Sequence, residues 1–295
     1  MKNILLLGAT GSIGDSVLNV IRQNKSTLNL FGIAVGKNIK KTESIIKTFL
    51  PKHIFVDDVK AYDEISSFHP DKNILNSDQE LLNLISDDKV DIVISAIVGF
   101  AGLKASLMAV NAGKTVLIAN KESIVAAGDI LMPLARSKGS IIIPIDSEHN
   151  AIFQCLPEDK TTKDVDKITI TASGGPFINI PLSKLSDISP KDALKHPNWE
   201  MGSKVSIDSA TLVNKCLELI EARYLFDLNE KFFDLVIHPQ SIVHSIVTYK
   251  DGSSISQMSN PNMEVPIANA LGDSSKVPIE YSKLDFNNLN LSFQE

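Results

Sequence analysis

The sequence is poor in the residues that mark secreted and membrane proteins. It contains only two cysteines, Cys155 and Cys216, which is too few for a disulfide framework. Both lie in helical patterns, and we expect reduced core thiols. The longest apolar stretches have the length of single strands, which argues against a membrane-spanning helix. Because a predicted strand follows Met1 directly, we expect no signal peptide and a cytoplasmic protein.

The sequence also lacks a strongly basic segment. The formal net charge is −6, and no stripe of Lys and Arg is present. We therefore expect neither nucleic acid nor a membrane surface as a partner. A hydrophobic content of 43% and a charged content of 22% are those of an ordinary globular protein. The 295 residues suffice for two domains with separate cores.

Apolar strands alternate with helical patterns through the first half of the chain. This alternation predicts a doubly wound, parallel α/β sheet of the Rossmann-like type. The predicted segments, in chain order, are Ile4–Leu7, Ser12–Gln23, Leu28–Val35, Lys41–Leu50, His53–Val56, Asp78–Ile85, Asp91–Ala96, Leu103–Ala112, Thr115–Ala119, Lys121–Lys138 and Ser140–Ile145.

The pattern changes after Glu148 and predicts an α+β domain with an antiparallel component. Asp251-Gly252 is a strong hairpin signal between the last two strands. The predicted strands are Ile168–Ala172, Leu235–Ile237, Ile242–Tyr249 and Ser253–Met258, and Ser206–Tyr224 is predicted to form one long helix. We expect an NADP-binding domain over residues 1–146, a catalytic domain over 147–272 and a polar, linker-like tail over 273–295.

The segment PIDSEHNA, residues 144–151, is the most informative in the chain. It follows a buried strand, and if the strand continued, Asp146 and Glu148 would point to one face. Two adjacent carboxylates repel each other, and a hard divalent cation such as Mg²⁺ or Mn²⁺ would reverse that cost. A solvated turn after the strand is the alternative.

The glycine loop GATGSIG, residues 8–14, lies between the first strand and the first helix. Its position predicts that backbone N–H groups bind the pyrophosphate of a dinucleotide, although a structural turn is the alternative. The second strand ends in Gly36, Lys37 and Asn38 without the acid that an NAD site requires. Lys37 therefore favours the 2′-phosphate of NADP, unless it is merely a solvated loop residue.

Two further segments follow strands at the same sheet edge, where ligands of such sheets bind. AIVGFAG, residues 96–102, either lines the cofactor site or contains glycines that only begin a helix. Asn120 precedes Lys121 and Glu122 at the start of a helix. Lys121 and Glu122 form either a helix-start charge pair or part of a site.

The predicted helix after Ser206 carries Asn214, Lys215 and Glu218 on one patch. In the functional interpretation, Glu218 is a third carboxylate for the cation and the other two residues bind an anion. Ser209, placed near the start of this predicted helix, could donate to the same phosphate. A salt bridge on a solvated surface is the alternative.

Two loops complete the set of candidates. SGGPF, residues 173–177, offers the Ser173 hydroxyl and backbone N–H groups to a phosphate, or is a plain turn. HPNWEMG, residues 196–202, contains the only tryptophan, Trp199. This side chain is either a core anchor or part of a lid that excludes water.

Taken together, these segments resemble the 1-deoxy-D-xylulose 5-phosphate reductoisomerase family. The similarity extends from Met1 to about Gly272. It depends on eight motifs that occur in the family's order, which are GATGSIG, AVGKN, NKES, PIDSEHNA, SGGPF, HPNWEMG, SIDSATLVNKCLE and IHPQSIVHS.

The resemblance implies an NADPH-dependent homodimeric oxidoreductase of isoprenoid biosynthesis that requires Mn²⁺ or Mg²⁺, with Co²⁺ as a further candidate. Its substrate would be a phosphosugar, 1-deoxy-D-xylulose 5-phosphate, and its product 2-C-methyl-D-erythritol 4-phosphate. Carried over by position, the metal ligands are Asp146, Glu148 and Glu218. The substrate contacts are Lys121, Ser147, Ser173, His196, Ser209, Asn214 and Lys215. The NADPH contacts are Thr10, Gly11, Ser12, Ile13, Gly36, Lys37, Asn38, Asn120, Glu122 and Gly202, and the lid residues are Trp199 and Met201.

The sequence departs from the family pattern at its end. Family members continue into a C-terminal helical domain, which is absent from the 295 residues, and we expect this to affect stability or turnover. Cys216 also replaces an expected small residue. Two rival interpretations remain at this point. One is a different NADP oxidoreductase, such as a semialdehyde or homoserine-type dehydrogenase, and the other is an inactive NADPH-binding remnant.

Overall fold

The structure, a computed structural model, consists of two compact units. It describes residues 1–199, 202–272 and 275–294. The first unit comprises the described residues within Met1–Ile145 and Ile267–Ile279, and the second comprises those within Asp146–Pro266 and from Glu280 onward.

The described residues within 267–279 pack with the first unit, although the sequence predicted that they belong to the second domain and the tail. Hydrogen bonds tie this segment to the amino-terminal strand and helix. Lys2 Nζ donates to the Leu271 carbonyl at 2.9 Å, and Asn24 Nδ2 donates to the Pro278 carbonyl at 2.8 Å. Contacts that span more than 250 residues leave no local sequence signal.

A parallel seven-stranded sheet forms the core of the first unit. Its order is β4-β3-β2-β1-β5-β6-β7, and all neighbouring strands are parallel. The strands are β1 (Lys2–Leu7), β2 (Leu28–Val35), β3 (His53–Val56), β4 (Asn73–Leu75), β5 (Ile92–Ser95), β6 (Thr115–Ile118) and β7 (Ile141–Pro144). The connecting helices are α1 (Ser12–Gln23), α2 (Ile39–Phe49), α3 (Val59–Phe68), α4 (Asp78–Ser86), α5 (Gly102–Asn111) and α6 (Lys121–Lys138). The predicted doubly wound sheet is confirmed.

The strand order of this sheet reverses at β1, which lies between β2 and β5. Ligands of open α/β sheets bind outside the carboxyl ends of the strands at such a point. β1 ends at Leu7 and β5 ends at Ser95. The loops GATGSIG and AIVGFAG therefore begin at the position that suits a dinucleotide.

The second unit contains a mixed four-stranded sheet in the order β11-β10-β8-β9. Its strands are β8 (Val165–Ala172), β9 (Phe233–Ile237), β10 (Val243–Tyr249) and β11 (Ser254–Met258). β10 is antiparallel to β8 and β11, as the hairpin signal predicted, and β8 is parallel to β9. The helices are α7 (Ser147–Cys155), α8 (Pro190–Ala193), α9 (Ser203–Ala210) and α10 (Val213–Phe226), with 3₁₀ turns at Leu182–Asp187 and Glu230–Phe232. A further helix, α11, covers Glu264–Leu271.

One apolar cluster holds α7 and α10 against this sheet. Ile152 of α7 and Phe226 of α10 pack with Ile168 and Val247 of the strands, and all four are buried. Burial of side chains of this size contributes about 1.5–3 kcal/mol each. The cluster thus fixes the two helices that carry the acidic residues.

Two sequence-based predictions for the second unit are wrong. The predicted single helix is two helices, because Leu212 adopts a left-handed backbone conformation with φ +60° and begins α10. Neither Gly nor Pro marks this break. Cys216 is exposed rather than part of the core, whereas Cys155 is buried as predicted. Among the helices of the described chain, none is both long and apolar enough to span a bilayer.

Candidate active site

The glycine loop after β1 packs directly on the loop after β5. Gly8 has φ +88°, and a Cβ atom there would lie 2.6 Å from the Ala96 carbonyl oxygen. Gly11 is the N-cap of α1 and has no side chain to cap the helix. The first N–H groups of α1, in the segment that holds Thr10, Gly11, Ser12 and Ile13, thus have no side-chain cap, although the N–H of Gly11 itself donates to the Gly8 carbonyl at 3.0 Å.

The loop after β2 presents an exposed cation. The Lys37 side chain is 87% exposed, and its ammonium lies 3.9 Å from Asp58. The neighbouring Asn38 caps α2 by accepting a hydrogen bond from Lys41 N at 3.1 Å. The Lys37 ammonium is therefore accessible and only weakly paired within the protein.

Lys41, which the sequence analysis missed, joins α2 to the glycine loop. Its ammonium donates to the Thr10 carbonyl at 2.9 Å and to Asp15 at 2.6 Å. A lysine in the first turn of a helix gave no signal for this contact. It links the loop that carries Lys37 to the loop that suits a pyrophosphate.

Asn120 is buried and holds the loop after β5 in place. Its Nδ2 donates to the carbonyls of Ile97, at 2.5 Å, and Gly99, at 2.8 Å. Its Oδ1 accepts a hydrogen bond from Ser123 N at 2.7 Å and one from the Ser123 hydroxyl. The side-chain amide is thus engaged within the protein. Lys121 and Glu122 follow it in the first turn of α6.

Three carboxylates converge in the second unit. Ligand atoms of Asp146, Glu148 and Glu218 all lie within 4.8 Å of one another. Asp146 is the N-cap of α7 and accepts from Glu148 N at 3.2 Å, and Glu148 lies in the first turn. The strand does not continue through these residues as the alignment of the two acids required, because the chain begins a helix after Asp146. Glu218 lies on α10 and is fully buried.

A buried lysine lies against these carboxylates. Lys215 Nζ is 2.5 Å from Glu148 Oε1 and 2.6 Å from Glu218 Oε2. Burial alone would lower the pKa of Lys215, but the adjacent carboxylates outweigh burial and raise it. Asn214 Nδ2 donates to Glu218 Oε1 at 2.5 Å. This patch is buried, so the alternative of a solvated surface salt bridge does not apply.

Ser173 and His196 form a second polar pair. Ser173 Oγ lies 2.9 Å from His196 Nε2 and accepts from Gly175 N at 3.1 Å. His196 Nδ1 accepts from the backbone N of Trp199 at 3.0 Å. The proton of the neutral ring therefore belongs on Nε2. Burial, followed by the nearby Lys215 ammonium, lowers the pKa of His196.

The loop with the single tryptophan is anchored at its start. Asn198 Nδ2 donates to the Pro239 carbonyl at 2.6 Å and to Ser241 Oγ at 3.0 Å. The Trp199 ring meets His244 edge-on, with 6.0 Å between ring centroids. Met201 lies outside the described residues. Gly202, the predicted NADPH contact, is the N-cap of α9.

The remaining predicted substrate residues are also placed in the second unit. The Ser147 hydroxyl donates to Glu148. Ser209 lies in the last turn of α9 and not near a helix start, because the predicted helix is divided. Its carbonyl oxygen would lie 3.0 Å from a Cβ atom built on Gly175, so Ser209 lies against the SGGPF turn.

Three residues around the carboxylates were missed from the sequence. Ser245 Oγ donates to the Glu148 carbonyl at 2.9 Å. His149 and Glu221 are fully buried beside the metal-ligand candidates. Glu221 follows Glu218 by about one helical turn, and His149 directly follows Glu148, which were the only sequence signals for these two residues.

Comparison with known proteins places the chain in a family. The family model described as 1-deoxy-D-xylulose 5-phosphate reductoisomerase matches residues 4–128, and the model of that enzyme's C-terminal domain matches residues 142–226. The reductoisomerase of Acinetobacter baylyi is 44% identical over 100% of this chain and 77% of its own length. The chain belongs to the 1-deoxy-D-xylulose 5-phosphate reductoisomerase family. The Francisella tularensis subsp. novicida reductoisomerase is 45% identical over 99% of this chain and 76% of its own length.

Solved reductoisomerases have the same fold. A DOX-P reductoisomerase in complex with NADPH, fosmidomycin and magnesium matches with a TM-score of 0.94 and 43% identity. The match covers 100% of this chain and 76% of that one. The Zymomonas mobilis enzyme in complex with NADPH matches with a TM-score of 0.91 and 38% identity over 99% and 76% of the two chains. The predicted fold class is confirmed, and family membership decides against a different NADP oxidoreductase.

Proposed function

We propose that the chain catalyses the NADPH- and divalent-metal-dependent isomerisation and reduction of 1-deoxy-D-xylulose 5-phosphate to 2-C-methyl-D-erythritol 4-phosphate. The observation that carries this proposal is the convergence of Asp146, Glu148 and Glu218 within 4.8 Å. A reductoisomerase of the same fold and 43% identity binds NADPH, fosmidomycin and magnesium. The reaction belongs to isoprenoid precursor synthesis.

The acidic site fits a hard divalent cation. Three ionised carboxylates repel one another in a buried position, and Lys215 balances only part of their charge. Oxygen donors of this kind suit Mg²⁺ and Mn²⁺, and Co²⁺ is a further candidate. Asp146, Glu148 and Glu218 would hold the ion, which when bound stabilises negative charge that develops on substrate oxygens.

The first unit would bind NADPH, which supplies the hydride. The segment of Thr10, Gly11, Ser12 and Ile13 would receive the pyrophosphate at the start of α1, through N–H groups other than that of Gly11, which donates to the Gly8 carbonyl at 3.0 Å. The exposed Lys37 would bind the 2′-phosphate. Asn120 would shape the site through the Ile97–Gly99 loop that it holds. The further contacts proposed by position are Gly36, Asn38, Glu122 and Gly202.

The second unit would bind the phosphate end of the substrate. Neutral His196 carries an N–H donor at Nε2, and the Ser173 hydroxyl lies 2.9 Å from this atom. Both groups would donate to the phosphate. Lys215 adds a positive charge beside the carboxylates. Binding energy from a remote phosphate can order the reacting carbons. The full set proposed for the substrate is Lys121, Ser147, Ser173, His196, Ser209, Asn214 and Lys215.

Trp199 and Met201 would belong to a lid over the reacting carbons. The start of the lid is fixed by Asn198 and by the backbone contacts to His196. A closed lid keeps water from reactive intermediates. The large apolar surface of Trp199 suits this task.

We further propose a homodimer in the cytoplasm. The edge strand β11 exposes Ile255, and an exposed apolar edge favours pairing with a second chain. Both cysteines are free thiols, as a reducing compartment would keep them. Light scattering distinguishes a dimer from a single 32.1 kDa chain.

The proposed function is tested by the oxidation of NADPH in the presence of 1-deoxy-D-xylulose 5-phosphate. We expect absorbance at the NADPH band to fall only when Mn²⁺ or Mg²⁺ is present. Treatment with EDTA should abolish the reaction, and added Mn²⁺ should restore it. Turnover that is unaffected by complete metal removal would contradict the proposal. NADPH binding by fluorescence, without turnover, would identify an inactive remnant instead.

Replacing Lys37 with alanine tests the choice of cofactor. We expect the KM for NADPH to rise about tenfold, because one charge-assisted contact to the 2′-phosphate is lost. The KM for NADH should stay within about twofold, since NADH has no such phosphate. Lys47→Ala is the matched control, because this lysine is also exposed and lies on α2. Equal effects on NADPH and NADH would contradict the assignment of Lys37.

A further inference from the structure

Glu221 is a buried carboxylate to which the proposed chemistry assigns no task. It lies on α10 one turn after Glu218 and is fully buried. Its Oε2 is 3.2 Å from His149 Nδ1. Within the described residues, neither of its oxygens meets the geometry of a hydrogen bond, and neither does His149 Nδ1, so the two side chains face each other as a close buried pair. An acid is costly to bury, so this contact with His149 needs an explanation.

His149 connects the two helices that carry the metal-ligand candidates. It follows Glu148 on α7, and its Nε2 donates to the Glu218 carbonyl of α10 at 2.9 Å. Because a carbonyl oxygen only accepts hydrogen bonds, Nε2 of His149 carries a proton. Its Nδ1 edge then faces Glu221 and, at 3.6 Å, Asp146 Oδ1.

The surroundings of His149 leave Glu221 as its main lateral support. The ring is fully buried, and the Phe226 ring lies at a centroid distance of 6.4 Å. A phenyl ring limits the space of the imidazole but offers no oxygen atom to its Nδ1 edge. Without Glu221, the imidazole could rotate away from the Glu218 carbonyl.

We propose that Glu221 is a positioning residue for the divalent metal. It holds the His149 ring, and the ring holds α7 and α10 at the spacing that brings Asp146, Glu148 and Glu218 together. Partners of this kind behind metal ligands change metal affinity by about 10- to 100-fold when they are removed. This inference depends on the proposed function, because it assumes that the three carboxylates bind the ion.

The test compares variants that separate geometry from charge. Glu221→Gln keeps an acceptor oxygen at the same place and removes the charge. Glu221→Asp keeps the charge but shortens the side chain by one methylene group, which moves the carboxylate away from His149. Glu221→Ala removes both. Glu158→Ala is the matched control, because Glu158 is an exposed glutamate of the same unit.

The readout is the Kd for Mn²⁺ without substrate, measured by electron paramagnetic resonance on the free ion. We expect Glu221→Ala to raise this Kd at least tenfold, Glu221→Asp about fivefold and Glu221→Gln less than threefold. The Kd for NADPH, measured by fluorescence, should stay unchanged in every variant and thereby report a folded first unit. If the alanine variant does not fold, the relative Kd values of the glutamine and aspartate variants still test the inference.

Two results overturn the inference while the proposed function stands. One is wild-type Mn²⁺ affinity in the aspartate and alanine variants. The other is weaker binding by the glutamine variant than by the aspartate variant, which would assign Glu221 a role through its charge alone. A wild-type protein that does not bind Mn²⁺ would overturn the proposed function, and this inference with it.

Discussion

Replacing Glu218 with glutamine is expected to raise the Kd for Mn²⁺ at least 100-fold and to lower kcat by about 10³. Both changes exceed those expected for Glu221, which would act through another residue, because here a direct metal ligand loses its charge. Glu218 is fully buried and receives hydrogen bonds from Asn214 and Lys215. A glutamine of the same shape cannot match both contacts or attract a cation as strongly. Mn²⁺ titration and steady-state kinetics measure the two effects.

The control for this variant is Glu230→Gln in the same unit. Glu230 is 70% exposed and lies 3.6 Å from Arg223, so its ion pair is worth little. The Mn²⁺ affinity and kcat of the Glu230→Gln variant should equal those of the wild type. NADPH binding should be preserved in both variants. Wild-type Mn²⁺ affinity in Glu218→Gln would show that Glu218 is not a metal ligand.

Replacing Gly8 with alanine should damage the cofactor site through the backbone. The added methyl group would lie 2.6 Å from the Ala96 carbonyl oxygen, in a residue with φ +88°. Both the clash and the left-handed conformation destabilise the fold, by about 3 kcal/mol or more together. Because the loops after β1 and β5 must separate, we also expect the Kd for NADPH to rise at least tenfold. Denaturant unfolding and fluorescence titration measure these changes.

Gly252→Ala is the matched control for backbone strain. Gly252 has φ +86°, but no atom lies within 4 Å of its added Cβ. We expect this variant to lose only about 1–2 kcal/mol of unfolding free energy, from conformation alone. Its affinity for NADPH should be unchanged. If both alanine variants behaved alike, close packing at Gly8 would not be the reason for that glycine.

The parts of the fold that were predicted correctly have local signals. Ser12–Gln23 and Leu28–Val35 are flanked by turn residues and carry continuous apolar patterns, and both are found with the predicted bounds. The elements that were missed lack these features. α3 buries only Ala61 and Ile65, and β4 has three residues. Leu212 breaks a helix without any residue that marks a break.

Part of the site was predicted from the spacing and chemistry of its residues, and the rest only from the resemblance to the family. Asp146 and Glu148 are two residues apart in sequence, so their proximity was expected although the chain begins a helix there instead of continuing the strand. Glu218 joins them through tertiary packing, which no spacing in the sequence encodes. The same holds for His149 and Glu221, whose contact joins residues of two helices. Their importance appears only once burial is known.

The most direct measurement is the identification of the product after a single turnover with NADPH deuterated at the transferred position. With Mn²⁺ bound, we expect mass spectrometry and NMR to show 2-C-methyl-D-erythritol 4-phosphate that carries one deuterium. The metal-free protein should leave 1-deoxy-D-xylulose 5-phosphate unchanged. A deuterated product with the original unbranched carbon chain, or the branched product formed equally well without metal, would contradict a site in which three carboxylates serve the rearrangement.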